Sequence, residues 1–327
     1  MNPNSVNPTG ILNPNYGKLR TWENVVNSNY NSLQTSLKKQ MSHSILFNAN
    51  YTYSHAIDNG STWHSGATTA NGAAGGEGYT TDQTLPGLDR GNSIYDIRHR
   101  LSLNYVIQLP GQNLKGALGW VAGGWSYNGI WAFQSGAHWQ PYVNVDDDPA
   151  ALVEISNPSN PCDANDVAAS NCQNLGGNWN LDGGSSGRPN STAQHVTFNR
   201  TTWANGWCTG GNGFGLGGCA AQGATPTAGN IPTLTQPCLG CTGDLGRNNF
   251  VGPGQWYADM TLSKTFMLTE RFRLKFEAQG FNVFNRPNFL LAVNGGGAHN
   301  SIQDPLLGAA AGTLNARNLQ FGLHLAF

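Results

Sequence analysis

Six cysteines, Cys162, Cys172, Cys208, Cys219, Cys238 and Cys241, all fall in one stretch of the chain, between 136 and 254. An even count in an oxidising compartment argues for three disulfides, which would staple a segment too polar and glycine-rich to build its own core. Spacing alone does not fix their connectivity. Sequence neighbours are the first choice: 162 with 172, 208 with 219, 238 with 241. A structural metal would need a second cysteine pair at zinc-ribbon spacing or a nearby histidine pair, and "CLGC" at 238–241 has neither.

Other residues with chemical potential read as bland on inspection. Gly213, Gly215 and Gly218 form a G-x-G-x-x-G, but that fingerprint holds pyrophosphate only after a strand and at a helix N-terminus. Here it lies between two cysteines and reads as loop. Asp146 to Asp148 could offer oxygens to calcium, yet adjacent acids lack the spaced ligands and turn glycine of a calcium loop. Eight histidines are scattered without an H-E-x-x-H, a G-x-S-x-G or a carboxylate pair, so neither an enzyme nor a resident cofactor is expected. Aromatic residues recur in the same stretches: Trp63 beside His64, Trp139 beside His138, then Trp179, Trp203 and Trp207. Trp63, His64, His138 and Trp139 are candidate ligand contacts, stacking on sugar rings or gripping a peptide. Loop-on-loop packing plus an interfacial girdle is the preferred account of these rings.

The elements that would position such loops are strands. Seven segments alternate with period two, at about 29–41, 44–57, 97–109, 123–135, 255–268, 271–284 and 315–327, with a weaker candidate at 18–26. Each exceeds the roughly 9–11 residues that a tilted strand needs to cross a bilayer. In "RFRLKFEAQGF", Phe272, Leu274 and Phe276 fall on one side, Arg271, Arg273 and Lys275 on the other. Arg98 and Arg100 alternate in the same way with His99 and Leu101. The cationic sets are expected to face a lumen and the apolar sets lipid, because Arg or Lys at bilayer midplane costs about 2–4 kcal/mol.

Composition agrees. Charged residues make up 11% of the 327-residue chain and 43 residues are glycine, against roughly 25% charged and about 7% glycine in an ordinary soluble domain. A formal net charge of −1 gives no global field to attract nucleic acid, which is not expected as a partner. No apolar run is long enough for a transmembrane helix, which leaves a transmembrane barrel open. The opening "MNPNSVNPTGILNPNYG" lacks the basic and apolar regions of a secretory signal.

Connection lengths carry the organisation. Those at 42–43, 110–122 and 269–270 are short or moderate; those at 58–96, 136–254 and 285–314 are long and rich in Gly, Asn, Ser and Pro. Outer-membrane barrels have short periplasmic turns and long extracellular loops, so the alternation predicts a side for each connection. The expected fold is all-β: an antiparallel transmembrane barrel portion of about seven to nine strands from a larger barrel. The expected organisation is an irregular segment at 1–17 followed by this partial barrel at 18–327, the cysteine-containing loop being extracellular. An odd number of strands cannot close a barrel of even strand number, and an open edge in lipid leaves backbone groups unpaired, so further strands are expected upstream.

"NYNSLQTSLKKQMSHSILFNANYTYSHAID", "YDIRHRLSLNYVIQLPG", "GGWSYNGIWAFQSG", "GRNNFVGPGQWYADMTLSKTFMLTERFRLKFEAQGFNVFNRPNF" and "LQFGLHLAF" together resemble the C-terminal barrel part of TonB-dependent outer-membrane receptors, most nearly the Oar-like type. The resemblance runs from about 18 to 327. It implies location in the outer membrane of a Gram-negative cell, outer-membrane lipid as a partner, and binding and energised uptake of a large, unidentified substrate. Phe321, Leu323, Leu325 and Phe327 match the alternating, aromatic-ended signal that such proteins present to the barrel-assembly machinery. The plug domain and the TonB box, through which such receptors engage the TonB complex, are not recognisable in 1–17 and are expected upstream. Two alternatives stay open: a secreted or surface β-rich adhesin built as a soluble sandwich, and a non-energised, porin-like channel.

Overall fold

A computed structural model describes residues 26–61, 86–111, 114, 116–141, 143–144, 152–154, 172–174, 186–197, 199–210, 218–220, 223–227, 231–235, 243–290, 302 and 304–327. Seven long strands dominate it: β1 (Ser28–Ser42), β2 (Ile45–Asp58), β3 (His99–Gln108), β4 (Trp125–Gln134), β5 (Gln255–Met267), β6 (Arg273–Phe281) and β7 (Asn318–Ala326). They coincide with the seven alternating segments of the sequence. The weaker segment at 18–26 and the stretch 1–17 lie essentially outside the described residues.

The strands pair antiparallel in chain order, β1 to β7, with a two-residue bridge, Gly91–Asn92, added to β2. Such a meander follows from the alternation itself, since each strand needs a neighbour for its amides and the nearest in sequence costs least loop entropy. His43 and Ser44 turn the first hairpin with φ of 51° and 64°. Positive φ at both central positions matches the right-handed twist of the flanking strands. β1 and β7 form the two edges.

Directly opposed residues of an antiparallel pair point to the same side. One row therefore runs Tyr51, Leu101, Phe133, Trp256 across β2 to β5, and another runs Phe266, Leu274, Leu325 across β5 to β7. Alternating rows carry Asn50, Ser102 and Ala132, and Thr265, Lys275 and His324. The result is a sheet with one apolar face and one polar face. Slipping any strand by one residue would exchange the two sets, so the register is strongly specified.

Two lysines stand on the apolar face: Lys39 on the edge strand, opposite Phe47, and Lys264 in the interior of the sheet. Lys264 opposes Trp125 and Phe276 and is 3% exposed. Helix α1 (Gly116–Ala122), in the connection between β3 and β4, accounts for it. The Lys264 Nζ donates to the Trp120 and Val121 carbonyls at 2.6 and 2.7 Å and lies over the Phe266 and Trp125 rings. A cation at a helix C-terminus satisfies the carbonyls that have no partner within the helix.

Candidate functional site

The connections 59–98, 135–254 and 282–317 leave from the same end of the sheet. The second was expected to be too polar to build its own core, yet its described part, together with that of the third, buries the largest apolar side chains. Trp139 packs against Trp203, Trp207 and Phe250 with ring centroids 5.7 to 6.0 Å apart, and Leu234, Leu245, Ile302 and Leu307 are fully buried around them. Sparse apolar residues suffice because two connections pool them: Ile302 and Leu307 come from the third, the others from the second. Gly308, at φ +77°, lies flat against the Trp207 indole, where any Cβ would collide with Nε1.

Helix α2 (Arg200–Asn205) is too short to stand alone and is fixed at both ends. The Asn199 side chain accepts from the Thr202 amide at 3.0 Å, and the Gly206 amide donates to the Thr202 carbonyl at 2.8 Å. This directs Trp203 into the core and leaves Arg200 exposed. The Cys208–Cys219 disulfide sits within the same core, its Cα atoms 5.5 Å apart. Cys162, Cys238, Cys241 and the side chain of Cys172 lie outside the described residues.

A buried polar joint ties this unit to the sheet. Arg247 donates from Nη1 to the Asp58 carboxylate (2.7 Å), the Asp58 carbonyl (2.7 Å) and the Asp89 carbonyl (2.9 Å). Beside it, His138 Nδ1 is 2.9 Å from the Asn248 carbonyl, and its Nε2 lies 3.3 Å from Asp96. Asp96 also accepts from Arg98 at 2.7 Å and from the Ala56 amide at 3.0 Å. Burial outweighs the attraction of Asp96 and holds the His138 pKa below its ordinary value, so the ring is neutral at pH 7. No cluster of metal-ligating side chains occurs among the described residues.

Beside the joint, a cleft of about 420 Å³ opens between the apolar face of the sheet and α2. Leu101, Phe133 and Trp256 form its sheet side, Trp203 and Phe289 the opposite side, and Arg200 and Arg286 bring the charge. The Arg286 guanidinium stacks on Trp256, 4.9 Å from the ring centroid. The cleft was not visible in the sequence because its residues come from six separated segments.

The sequence-derived candidates are distributed as follows. His138 and Trp139, considered as ligand contacts, are 2% and 1% exposed, one in the joint and the other in the core. Trp63 and His64 lie outside the described residues. Arg98 precedes β3 and is engaged by Asp96 rather than standing free on a wall. Arg271 and Phe272 belong to the turn before β6, because the strand starts at Arg273. Arg100, Arg273 and Lys275 share the polar face, where Lys275 and His324 flank Glu277 at 2.6 and 3.2 Å. Leu274 and Phe276 share the apolar face with Phe321, Leu323 and Leu325, and Phe327 follows β7, 95% exposed.

Comparison with known proteins gives one family. The family described as "Outer membrane beta barrel domain" matches residues 1–320. No curated protein matches the chain. Among solved structures, the ferripyoverdine receptor of the outer membrane of Pseudomonas aeruginosa, bound to ferripyoverdine, is similar at 10% identity with a TM-score of 0.33. The likeness covers 91% of this chain, which spans only 19% of that receptor.

Proposed function

The chain belongs to the outer-membrane β-barrel domain family and resides in the outer membrane, and from that premise we propose that it forms part of the wall of a receptor-type transporter, its apolar face toward lipid and its polar face toward the lumen. Leu274, Phe276 and the apolar residues of β7 meet acyl chains; Arg100, Arg273 and Lys275 line the interior. The long connections are extracellular and gather a substrate, and energised uptake runs through TonB and a plug encoded upstream, as in the Oar-like receptors that the strand motifs resemble.

The observation that carries this reading is the joining of one-sided strands to a folded unit at one end of the sheet, the described connections at the other end being short turns and the single helix α1. An open channel needs no such unit, whereas a receptor needs a shaped surface outside the membrane. A soluble adhesin is disfavoured by the exposed apolar face: Phe321 and Leu323 are 74% and 68% exposed, far from a sandwich interior. Planar-bilayer conductance of the full-length protein, purified from its own outer membrane, tests the assignment. A plugged receptor gives no stable open-channel steps; a porin-like channel gives them at once, and steps of that kind would refute the proposal.

A further inference from the structure

The cleft at the rim has a composition that the transport reading does not use. Its sheet side is the apolar face, contributed by Leu101, Phe133 and Trp256 near the strand ends where the loop unit begins. Its charge is one-sided. Arg200 and Arg286 lie close enough for Arg200 to help lower the Arg286 pKa, after the larger effect of burial. Among the described residues neither guanidinium is paired with a carboxylate, and the Arg286 Nε is buried with no hydrogen-bond partner.

The Arg286 main chain is nonetheless firmly placed: its amide donates to Asn282 Oδ1 at 3.1 Å, and its carbonyl accepts from Asn282 Nδ2 at 3.0 Å. The stack on Trp256 then fixes the guanidinium plane. Two like charges held together at a partly buried place repel each other, which is sustained when an anion bridges them. Guanidinium forks suit the oxygens of phosphate, and an aromatic and aliphatic floor suits a hydrocarbon chain.

We propose that this cleft binds a phosphorylated lipid of the outer leaflet, its phosphate between Arg200 and Arg286 and its acyl chain along Leu101, Phe133 and Trp256. The site rests on the reading of the apolar face as the lipid face. It would seat an annular lipid under α2, joining the extracellular unit to the surrounding membrane.

The test uses the full-length protein in detergent and isothermal titration with three probes: dihexanoyl phosphatidic acid, the phosphate-free dihexanoylglycerol and inorganic phosphate. Phosphatidic acid should bind saturably at one site, and R200Q combined with R286Q should weaken it about tenfold or more, as expected when two charge-assisted contacts are removed. Equal binding of inorganic phosphate would mean a free-anion site, and equal binding of dihexanoylglycerol a merely apolar cleft; either overturns the proposal. Heat-modifiable migration verifies that the variant barrel is folded. If it is not, R200Q alone, at an exposed residue, should still weaken binding about threefold, and an unchanged affinity overturns the proposal. Lipid quenching at residues 274 to 276 separates the two levels: failure there removes the lipid-face reading itself, whereas failure of the titration with quenching intact removes only this site.

Discussion

Arg247 and Asp58 are 189 residues apart in sequence, yet their side chains meet at 2.7 Å in a nearly dry setting, with Arg247 3% exposed. One ends a long strand and the other belongs to the largest connection. The pair thus converts a loop into a body carried rigidly by the sheet. It also shows how a shaped surface persists on a chain with few charges: two of them are buried at this joint.

Removing one partner of this pair should be far more damaging than its small size suggests. Arg247→Ala removes the cation from the Asp58 carboxylate, which keeps neutral donors such as those of Ser61 and Gly60, and loss of one member of a buried ion pair costs about 3–5 kcal/mol. The expected outcome is a loop unit that melts early and is cut rapidly by added protease, on a barrel that still migrates as heat-modifiable. An Arg247→Ala loop as resistant as wild type would show that the joint does not hold the unit.

The Cys208–Cys219 bond spans 11 residues, so its loss should destabilise the loop unit by about 3 kcal/mol. Alkylation without reduction should leave both thiols unmodified, and mass spectrometry after reduction should find both labelled. Cys162 with Cys172 and Cys238 with Cys241 are proposed to behave alike. Stoichiometric bound zinc, or two free thiols in the native protein, would contradict three bridges.

His138 gives the loop unit an acid sensitivity of known sign. Its folded pKa is lowered, burial being the largest cause, while the Asn248 carbonyl and Asp96 work the other way and Arg98 adds to the lowering. Below the unfolded value of about 6.5 the unfolded chain takes up a proton that the folded chain refuses, so stability falls as pH drops through that point and levels off below the folded pKa. Tryptophan-detected melting between about pH 7.5 and pH 5.5 should show the decline, and His138→Gln should flatten it. A decline of equal size in the variant would assign the effect elsewhere.

Much of this was legible in the sequence because a strand's side-chain period is local: the seven alternating segments, which residues share a face and the alternation of connection lengths needed no long-range information. What escaped was non-local. Nothing near Lys264 announces that a short helix more than a hundred residues earlier receives its charge. Loop-on-loop packing of the tryptophans of the second connection was the preferred reading, but two of their partners, Ile302 and Leu307, lie in the third and could not be named from spacing. The cleft was invisible for the same reason, Arg200 and Arg286 being brought together only by the fold.

Facing is the claim on which the whole account stands, and β6 tests it most directly. Leu274 and Phe276 occupy one face of the strand and Lys275 the other. Arg at 274 should cost about 2–4 kcal/mol near midplane and less near an interface, while Lys275→Ala should cost little. A soluble sandwich would also penalise that arginine, so stability alone does not decide. The decisive measurement places a fluorescent amino acid at 274, 275 or 276 in the full-length protein in bilayers containing brominated acyl chains. The account predicts strong quenching at 274 and 276 and none at 275; equal response at all three positions, or none anywhere, would contradict it.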